Sequence, residues 1–375
     1  MVRRIKTIPV LLFCWVALVS CSQAFPSSTQ STVNKQNKSN IYSELNINYE
    51  TFYMPSNSKN KLYLPVADKS MSGMPNKLIS YNLSNKKEET IFHSQIKDAN
   101  IQGVQANEKW LLWIDTDSFG TNSILYIKNL INNQQSNIYT TNKIIDPFLY
   151  EHYVSWIDID DENGIGTIVL YDLETNTKKQ IATLESYNTY STTIHMNNNQ
   201  LVYSNSNKQQ TTVYTYNLKN EQINTYEIPQ KYIMKPRIVG NKIFYTSFSS
   251  PGKPFPESYY ILDMESKNVM PFLQDDITGE QSNSIGLVSA SKDYMIFQTT
   301  DQKIFAYHIN NNEYKKTKLE ISNMFRVRMS ESRDVTVICD NPKASKKSDL
   351  QFIKLIPYNE LKNKFQNEKL QYFNH

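Results

Sequence analysis

Alternating carboxylates make residues 158–164 the part of this sequence best suited to metal binding. Asp158, Asp160 and Glu162 occupy every second position of the run DIDDENG. Carboxylate oxygens spaced in this way on a turn are the ligands that Ca²⁺ prefers in proteins. The run is not an EF-hand loop, because Gly164 stands one place later than that loop requires. Two interpretations follow, a calcium site and a solvated turn whose side chains bond their own backbone, and we favour the second.

Motifs that carry catalysis are absent from the sequence. The five histidines never lie within four residues of one another, so no zinc-binding HExxH helix exists. There is also no CxxC pair, no phosphate-binding glycine-rich loop and no GxSxG nucleophile turn. Scattered loops of a repeat fold can still assemble an active site. We therefore assign no catalytic residue and no cofactor, with Ca²⁺ as the single alternative.

The N-terminus has the three parts of an export signal. Basic residues at 1–6 precede an apolar run at 8–19, which is shorter than the roughly 20 residues of a membrane-spanning helix. Leu18-Val19-Ser20-Cys21 then resembles the lipobox of bacterial lipoproteins. That resemblance implies that Cys21 carries diacylglycerol and becomes the new N-terminus, at the extracytoplasmic face of a cell membrane. An ordinary signal with a chance cysteine and an uncleaved anchor are the alternatives.

The rest of the composition limits the class of partner. Residues 22–43 are rich in Ser, Thr, Asn, Gln and Lys and predict a disordered tether. Without the signal, 37 basic residues face 36 acidic ones, which excludes the electrostatic footprint of a nucleic-acid-binding protein. Cys339 alternates with valines and predicts a buried apolar side chain. The bias towards Asn, Lys, Ile and Tyr is typical of an AT-rich genome, which favours a Gram-positive source.

An internal repeat dominates the remainder of the chain. Its marker is a short apolar strand that ends in an aromatic or apolar residue, then Asn or Asp, then Leu or a similar residue. Successive copies end 43 to 47 residues apart, at Leu83, Leu130, Leu173, Leu218, Met264, Ile309 and Ile356. The last two copies are weaker. A period in the forties with several β-rich runs is the signature of a β-propeller.

Each period contains four strand candidates, which predicts seven four-stranded blades in an all-β fold. A second apolar run lies upstream of each marker, as in 110–115 and 153–158, and shorter polar runs flank the pair. We therefore assign residues 1–20 to a cleaved signal peptide and 21–44 to the lipidated cysteine and tether. Residues 45–356 form the propeller, and 357–375 form a C-terminal tail.

One repeat carries a more specific resemblance. Trp156-Ile157-Asp158 followed by Leu170-Tyr171-Asp172-Leu173 resembles the repeat of TolB-like propellers. The resemblance covers about residues 45–356 and implies the propeller fold. Its motifs are short and shared by many propellers, so it implies no substrate.

The end of the chain raises the question of ring closure. No good fourth strand follows Ile356, and the segment from Pro357 predicts a short helix with proline in its first turn. Residues 41–45 are therefore expected to supply the outer strand of blade seven.

These features favour a membrane-anchored binding or scaffold protein without catalysis, which presents one propeller face to envelope proteins, peptides or glycans. Two alternatives stay open. One is a hydrolase or lyase acting on envelope carbohydrate, which carboxylates at a mouth of the channel would favour. The other is a sensory or assembly subunit of an envelope complex. Tyr187, Tyr190 and Tyr232, in connections between blades, could line a ligand site, and the loop 249–256 could contact a partner.

Overall fold

Antiparallel strands that pair with their neighbours along the chain form seven sheets within the described residues. The computed structural model describes residues 43–68, 73–141, 143–160, 162–184, 192–206, 210–248, 258–272, 286–298 and 303–373. Each sheet is one blade of a ring, with its strands ordered from the innermost to the outermost. The predicted all-β propeller of seven four-stranded blades is confirmed.

The strands follow in chain order, after β1 (Ser43–Asn46), which belongs to the last blade. Blades 1 to 3 contain β2 (Ser56–Ser58), β3 (Lys61–Val66), β4 (Lys77–Asn82) and β5 (Glu88–His93); β6 (Ala99–Ala106), β7 (Trp110–Asp117), β8 (Ser123–Asn129) and β9 (Gln135–Thr141); and β10 (Ile144–Tyr150), β11 (Tyr153–Asp160), β12 (Ile165–Asp172) and β13 (Thr177–Leu184). Blades 4 and 5 contain β14 (His195–Asn197), β15 (Gln200–Ser206), β16 (Thr211–Asn217) and β17 (Ile223–Ile228); and β18 (Tyr232–Val239), β19 (Lys242–Phe248), β20 (Ser258–Asp263) and β21 (Val269–Phe272). Blades 6 and 7 contain β22 (Gly286–Ser291), β23 (Tyr294–Gln298), β24 (Ile304–Asn310) and β25 (Glu313–Leu319); and β26 (Met324–Met329), β27 (Val335–Asp340) and β28 (Gln351–Ile356).

The two ends of the ring meet in blade 7. β1 pairs with β28 in an antiparallel register that runs from Ser43 opposite Leu355 to Asn46 opposite Phe352. Leu45 is buried in the same apolar cluster as Ile353 and Leu355, so apolar contacts support the pairing. The expected outer strand of blade seven is therefore confirmed.

The C-terminal tail covers the outside of blades 6 and 7. A 3-10 turn, Lys347–Asp349, precedes β28, and helix α1 (Tyr358–Gln366) follows it with Pro357 as its N-cap. Beyond the helix, β29 (Gln371–Tyr372) pairs with β25 as a fifth strand of blade 6, which the sequence did not predict. In the part of the chain that the structure describes, no helix has the length and apolar character needed to cross a membrane.

The repeated Asn or Asp marker closes the turn between the third and fourth strands. In blade 1, Oδ1 of Asn82 accepts hydrogen bonds from the backbone N–H groups of Ser84 and Asn85, at 3.0 and 3.1 Å. The equivalent side chains of blades 2 to 5 accept the same pair of bonds: Asn129, Asp172, Asn217 and Asp263. Since such bonds replace backbone pairing in a tight turn, the marker recurs for a local structural reason.

Aromatic side chains fill the space between blades. Trp113 and Trp156 are fully buried. The Trp113 ring lies 5.3 Å from the Phe92 ring of blade 1 and is stacked on Tyr126 of its own blade at the same centroid distance. The wedge between two blades is therefore apolar, while the innermost strands carry the polar side chains.

Candidate functional site

The innermost strands of all seven blades line a central channel of about 250 Å³. Because the strands of each blade alternate in direction, the turns between first and second strands all lie at one side of the ring. We call that side face A. Face B, the opposite side, carries the turns between second and third strands and the connections between blades.

His195 of β14 crosses the channel. Its Nε2 donates to the carbonyl oxygen of Ala290 in blade 6 at 3.1 Å, and its Nδ1 accepts the N–H of Ile238 in blade 5 at 3.2 Å. The Phe148 ring of blade 3 meets the imidazole edge-on at 4.9 Å. Burial, with a smaller contribution from Arg237, lowers the pKa of His195 to about 3. The imidazole is therefore neutral at ordinary pH and connects four blades.

Side-chain amides connect other innermost strands. Asn197 donates to the carbonyl oxygens of Ile238 and Lys292 at 2.9 and 2.7 Å and accepts the N–H of Lys292 at 3.1 Å. Gln105 of blade 2 accepts the N–H of Leu149 in blade 3 at 3.0 Å and donates to the carbonyl of Pro147. Blades diverge radially and cannot pair edge to edge, so these amides satisfy backbone groups at their inner edges.

A basic groove opens from the channel onto face B between blades 1, 2 and 7. We call it the arginine groove; it has a volume of about 480 Å³ and is lined by Tyr53, Met54, Pro65, Asn100, Gln102, Gly103, Val104, Arg326, Val327 and Arg328. The groove lies beside the innermost strand of blade 1, which is shorter than the innermost strands of the two adjacent blades. β2 has three residues, whereas β6 has eight and β26 has six. Arg328 passes this gap and donates from Nη1 to the carbonyl oxygen of Val104 at 2.6 Å.

The arginines differ in their surroundings. Arg328 is partly buried and lines both the channel and the groove, so it lies at their junction. Arg326 is exposed, with its guanidinium 5.1 Å from the centre of the Phe325 ring. Phe325 is itself 48% exposed. The rim of the groove therefore combines positive charge with apolar surface.

An acidic groove of about 480 Å³ occupies the other mouth, on face A. We call it the carboxylate groove, and its ionisable lining residues are Lys59, Glu108, Lys109, Glu151, His152, Glu174, Lys292, Glu331 and Asp334. Several of them have partners within the fold. Lys109 contacts Glu174 at 2.7 Å. Asp334 accepts hydrogen bonds from Asn57, Ser332 and the N–H of Tyr358, at 3.1, 2.8 and 2.8 Å.

Glu331 is a carboxyl of that groove whose pKa is raised. Burial raises its pKa, and the charge of Glu151 adds to the effect, while a hydrogen bond with Asn107 opposes it. Its Oε2 is buried and has no hydrogen-bond partner among the described residues. Glu331 therefore holds its proton to a higher pH than an ordinary glutamate.

The carboxylates predicted to bind calcium form hydrogen bonds with different partners. Asp158 accepts hydrogen bonds from the Tyr139 hydroxyl and, at 3.2 Å, from Thr141, both on the outer strand of blade 2. Asp160 accepts the N–H of Glu162 at 3.1 Å and the amide of Asn163 at 2.7 Å, and this amide bond lowers its pKa. Within the described part of the chain, no three Asp, Glu, His or Cys side chains are grouped for a metal ion. The calcium site stays a prediction, and the contacts of Asp160 are those of a solvated turn.

Blade 2 has two aspartates, Asp115 and Asp117, at the place that Asp158 and Asp160 occupy in blade 3, and the surroundings of these two differ. Asp117 bonds its own turn through Thr121 and Asn122, and the bond from Thr121 is the largest cause that lowers its pKa to about 2. Asp115 is buried instead and accepts a hydrogen bond from Ser94 at 2.8 Å. Burial raises the pKa of Asp115 to about 6. The pKa values of these two aspartates, which are two residues apart on one strand, are therefore shifted in opposite directions.

Other predicted residues fall in two groups. Cys339 is buried, and burial raises the pKa of its thiol to about 11, which confirms its apolar role. Tyr232 lies partly buried at the start of β18. Cys21, the signal at 1–20, Tyr187, Tyr190 and the loop 249–256 lie outside the described residues, so their predicted roles stay predictions.

Sequence reasoning missed the arginine groove. The signal available was the rarity of arginine: outside the signal segment the chain has four, and Arg237, Arg326 and Arg328 line the channel or its face B groove. Lysines, which are abundant and spread through the sequence, hide this concentration when only net charge is counted.

Comparison with known proteins places the fold and no more. No protein-family model and no curated protein matches this chain. The chain is similar to the β-propeller domain of the Trilobed protease from Pyrococcus furiosus, which is described as having an open velcro topology. The two are 11% identical, with a TM-score of 0.57, over 88% of this chain and 97% of that domain.

Two further similar structures are longer proteins. An acylaminoacyl peptidase from Pyrococcus horikoshii is 12% identical, with a TM-score of 0.52, over 77% of this chain and 49% of the peptidase. TolB from Acinetobacter baumannii is 11% identical, with a TM-score of 0.39, over 75% of this chain and 60% of TolB. This chain spans about half the length of the peptidase and 60% of TolB. The TM-scores of 0.57 and 0.52 support a shared propeller fold, and the TM-score for TolB is too low to carry an argument.

Proposed function

We propose that this chain is a lipid-anchored extracytoplasmic binding or scaffold protein that performs no catalysis itself. In this proposal Cys21 carries the lipid, the polar segment that follows it forms the tether, and the propeller presents one face to an envelope protein, peptide or glycan. The sequence support is the agreement in position of the basic segment, the apolar run and the lipobox. The source would be a Gram-positive cell.

The observation that carries the proposal is the cross-linked centre of the ring. His195, Asn197 and Gln105 use their polar atoms to hold neighbouring innermost strands together. Because the pKa of His195 is about 3, this histidine cannot exchange protons at ordinary pH. A rigid ring with a groove at each mouth is suited to holding a partner in a fixed geometry.

Crosslinking in native membranes tests the proposal. We expect the full chain to capture a defined envelope protein, and the Cys21→Ala variant, which cannot be lipidated, to lose that capture. A soluble wild-type chain, or identical proteins captured by both forms, would contradict the anchored role.

A hydrolase or lyase for envelope carbohydrate is the second candidate, and Glu331 is the observation in its favour. Glycosidases use one carboxyl that keeps its proton and a second that stays ionised. Glu331, with its raised pKa, lies in the same groove as Glu151, so two carboxyls are present there.

Turnover of cell-wall polysaccharide separates the two functions. Under the second candidate the full chain releases reducing ends, and Glu331→Gln lowers kcat by about 100-fold or more, in the range of general acid–base catalysis. Glu108→Gln, on the same groove but exposed, is the matched control. No release by the wild type would remove the candidate.

A further inference from the structure

We propose that the arginine groove binds an acidic stretch of polypeptide. A carboxylate of the partner lies between Arg326 and Arg328, and a neighbouring apolar side chain packs against Tyr53 and Met54. This inference rests on the proposed function, because it names the chemistry of the partner that the ring would hold.

Charge is the first support. Two arginines line the groove, and its lining contains no acidic residue among those that the structure describes. A guanidinium matches a carboxylate in shape and donates two parallel hydrogen bonds to it. Arg328 is fixed by its bond to the Val104 carbonyl, so its position is set before a partner arrives. Arg326 is exposed and can move onto a ligand.

Shape is the second support. The short innermost strand of blade 1 leaves an opening that the backbone at Gly103 helps to line. Gly103 has a φ of +65°, and a Cβ there would lie 3.3 Å from Cγ of Pro147. Glycine therefore suits this position in conformation and in space, because the backbone there packs closely against Pro147 and Ile114. The volume of about 480 Å³ accommodates a few residues of a chain.

Apolar lining favours a peptide over a polymer of phosphates. Pro65, Val104 and Val327 of the lining are buried, but Tyr53 and Met54 are half-buried and present apolar surface to a ligand. The exposed Phe325 ring extends this surface beyond the rim. A phosphate polymer has no apolar group to cover these residues and binds through many cations rather than two. An acidic residue beside an apolar one satisfies both parts of the groove.

Selection from a phage-displayed library of random heptapeptides tests this with the full chain. We expect wild type to enrich peptides with Asp or Glu next to an apolar residue. The Arg326→Gln/Arg328→Gln double variant should bind the enriched peptides at least tenfold more weakly. Lys219→Gln/Lys267→Gln, two exposed lysines of face A turns, removes the same charge and should bind as the wild type does.

Two further variants guard against misfolding. Arg326→Gln changes an exposed side chain and should by itself weaken binding severalfold, whereas Arg328→Lys keeps the charge and should retain part of the affinity. Enrichment without acidic residues, equal binding by the double variant, or no enrichment at all would overturn the inference. Competition by polyphosphate but not by the matching glutamine peptides would point to a phosphate polymer and would also overturn it.

Membrane crosslinking keeps this outcome apart from that of the proposed function. A partner captured equally by the wild type and the double arginine variant, but lost with Cys21→Ala, would sustain the anchored scaffold and reject the groove. Loss of capture by both variants would support both conclusions.

Discussion

The two mouths of the channel are built by the same repeat, yet they differ in charge. At face A the innermost strands end in regular turns, and much of the charge there is paired, as in Lys109 with Glu174 and in Asp334 with three donors. At face B the innermost strand of blade 1 has three residues, as does that of blade 4, and beside it an arginine from blade 7 reaches blade 2. The comparison teaches that the two mouths differ in charge because different side chains line them, although the same repeat builds both.

Removal of the His195 side chain, which crosses the channel between the two mouths, should have the largest effect on stability. His195→Ala removes two hydrogen bonds and a buried ring, so we expect the free energy of unfolding to fall by about 3 kcal/mol in urea denaturation. His152→Ala is the control, because His152 lines the carboxylate groove and not the channel. It should lower the free energy of unfolding far less. Equal losses of stability for the two variants would show that the His195 hydrogen bonds do not hold the innermost strands together.

Two further carboxyls with a raised pKa lie on opposite sides of the ring, Glu331 at face A and Asp115 towards face B. Since the pKa of Asp115 is about 6 in the fold and about 3.9 when unfolded, its protonated form is favoured by folding. Its contribution is complete below about pH 4 and is lost as the pH rises through 6, by at most about 3 kcal/mol. Asp115→Asn should remove this decline between pH 4 and pH 7.

Asp117→Asn is the matched control on the same strand. The pKa of Asp117 is lowered to about 2, so its contribution is present above about pH 4 and is lost only as the pH falls towards 2. Unfolding between pH 4 and 7 should therefore keep the wild-type pH dependence in this variant. A wild-type slope retained in Asp115→Asn would mean that another group causes it.

A smaller effect is expected from the bond between Arg328 of blade 7 and Val104 of blade 2. Arg328→Gln loses the charged donor to the Val104 carbonyl and should lower the free energy of unfolding by about 1 kcal/mol. Arg328→Lys, with a donor on a flexible stem, should recover part of it. Differential scanning calorimetry measures both, and an unchanged Tm for Arg328→Gln would sink the claim that this bond spans the gap in blade 1.

The smallest effect on stability is expected at Arg326. Its side chain is exposed, so Arg326→Gln should change the free energy of unfolding by less than about 0.5 kcal/mol while weakening peptide binding. A large loss of stability with unchanged binding would reverse the roles assigned to the two arginines.

Local features of this fold were predictable and distant ones were not. The marker predicted seven blades because Asn82 and its equivalents bond the backbone two and three residues ahead. The outer strand of blade 7 could be inferred from a missing partner near Ile356. The arginine groove depends on a contact between Arg328 and Val104, 224 residues apart, to which no periodicity points. β29 is similar, since two residues at the end of the tail reveal no strand pattern.

Ring closure by β1 and β28 has a consequence for the order of folding. When the chain emerges N-terminus first, β1 is available early, and its partner β28 follows about 300 residues later. Blades 1 to 6 need only nearby strands and can form one after another, whereas blade 7 must join two distant segments. Loop-closure entropy makes such a distant pairing slow. The ring should therefore assemble as an open arc whose final, rate-determining event is the capture of its own first strand.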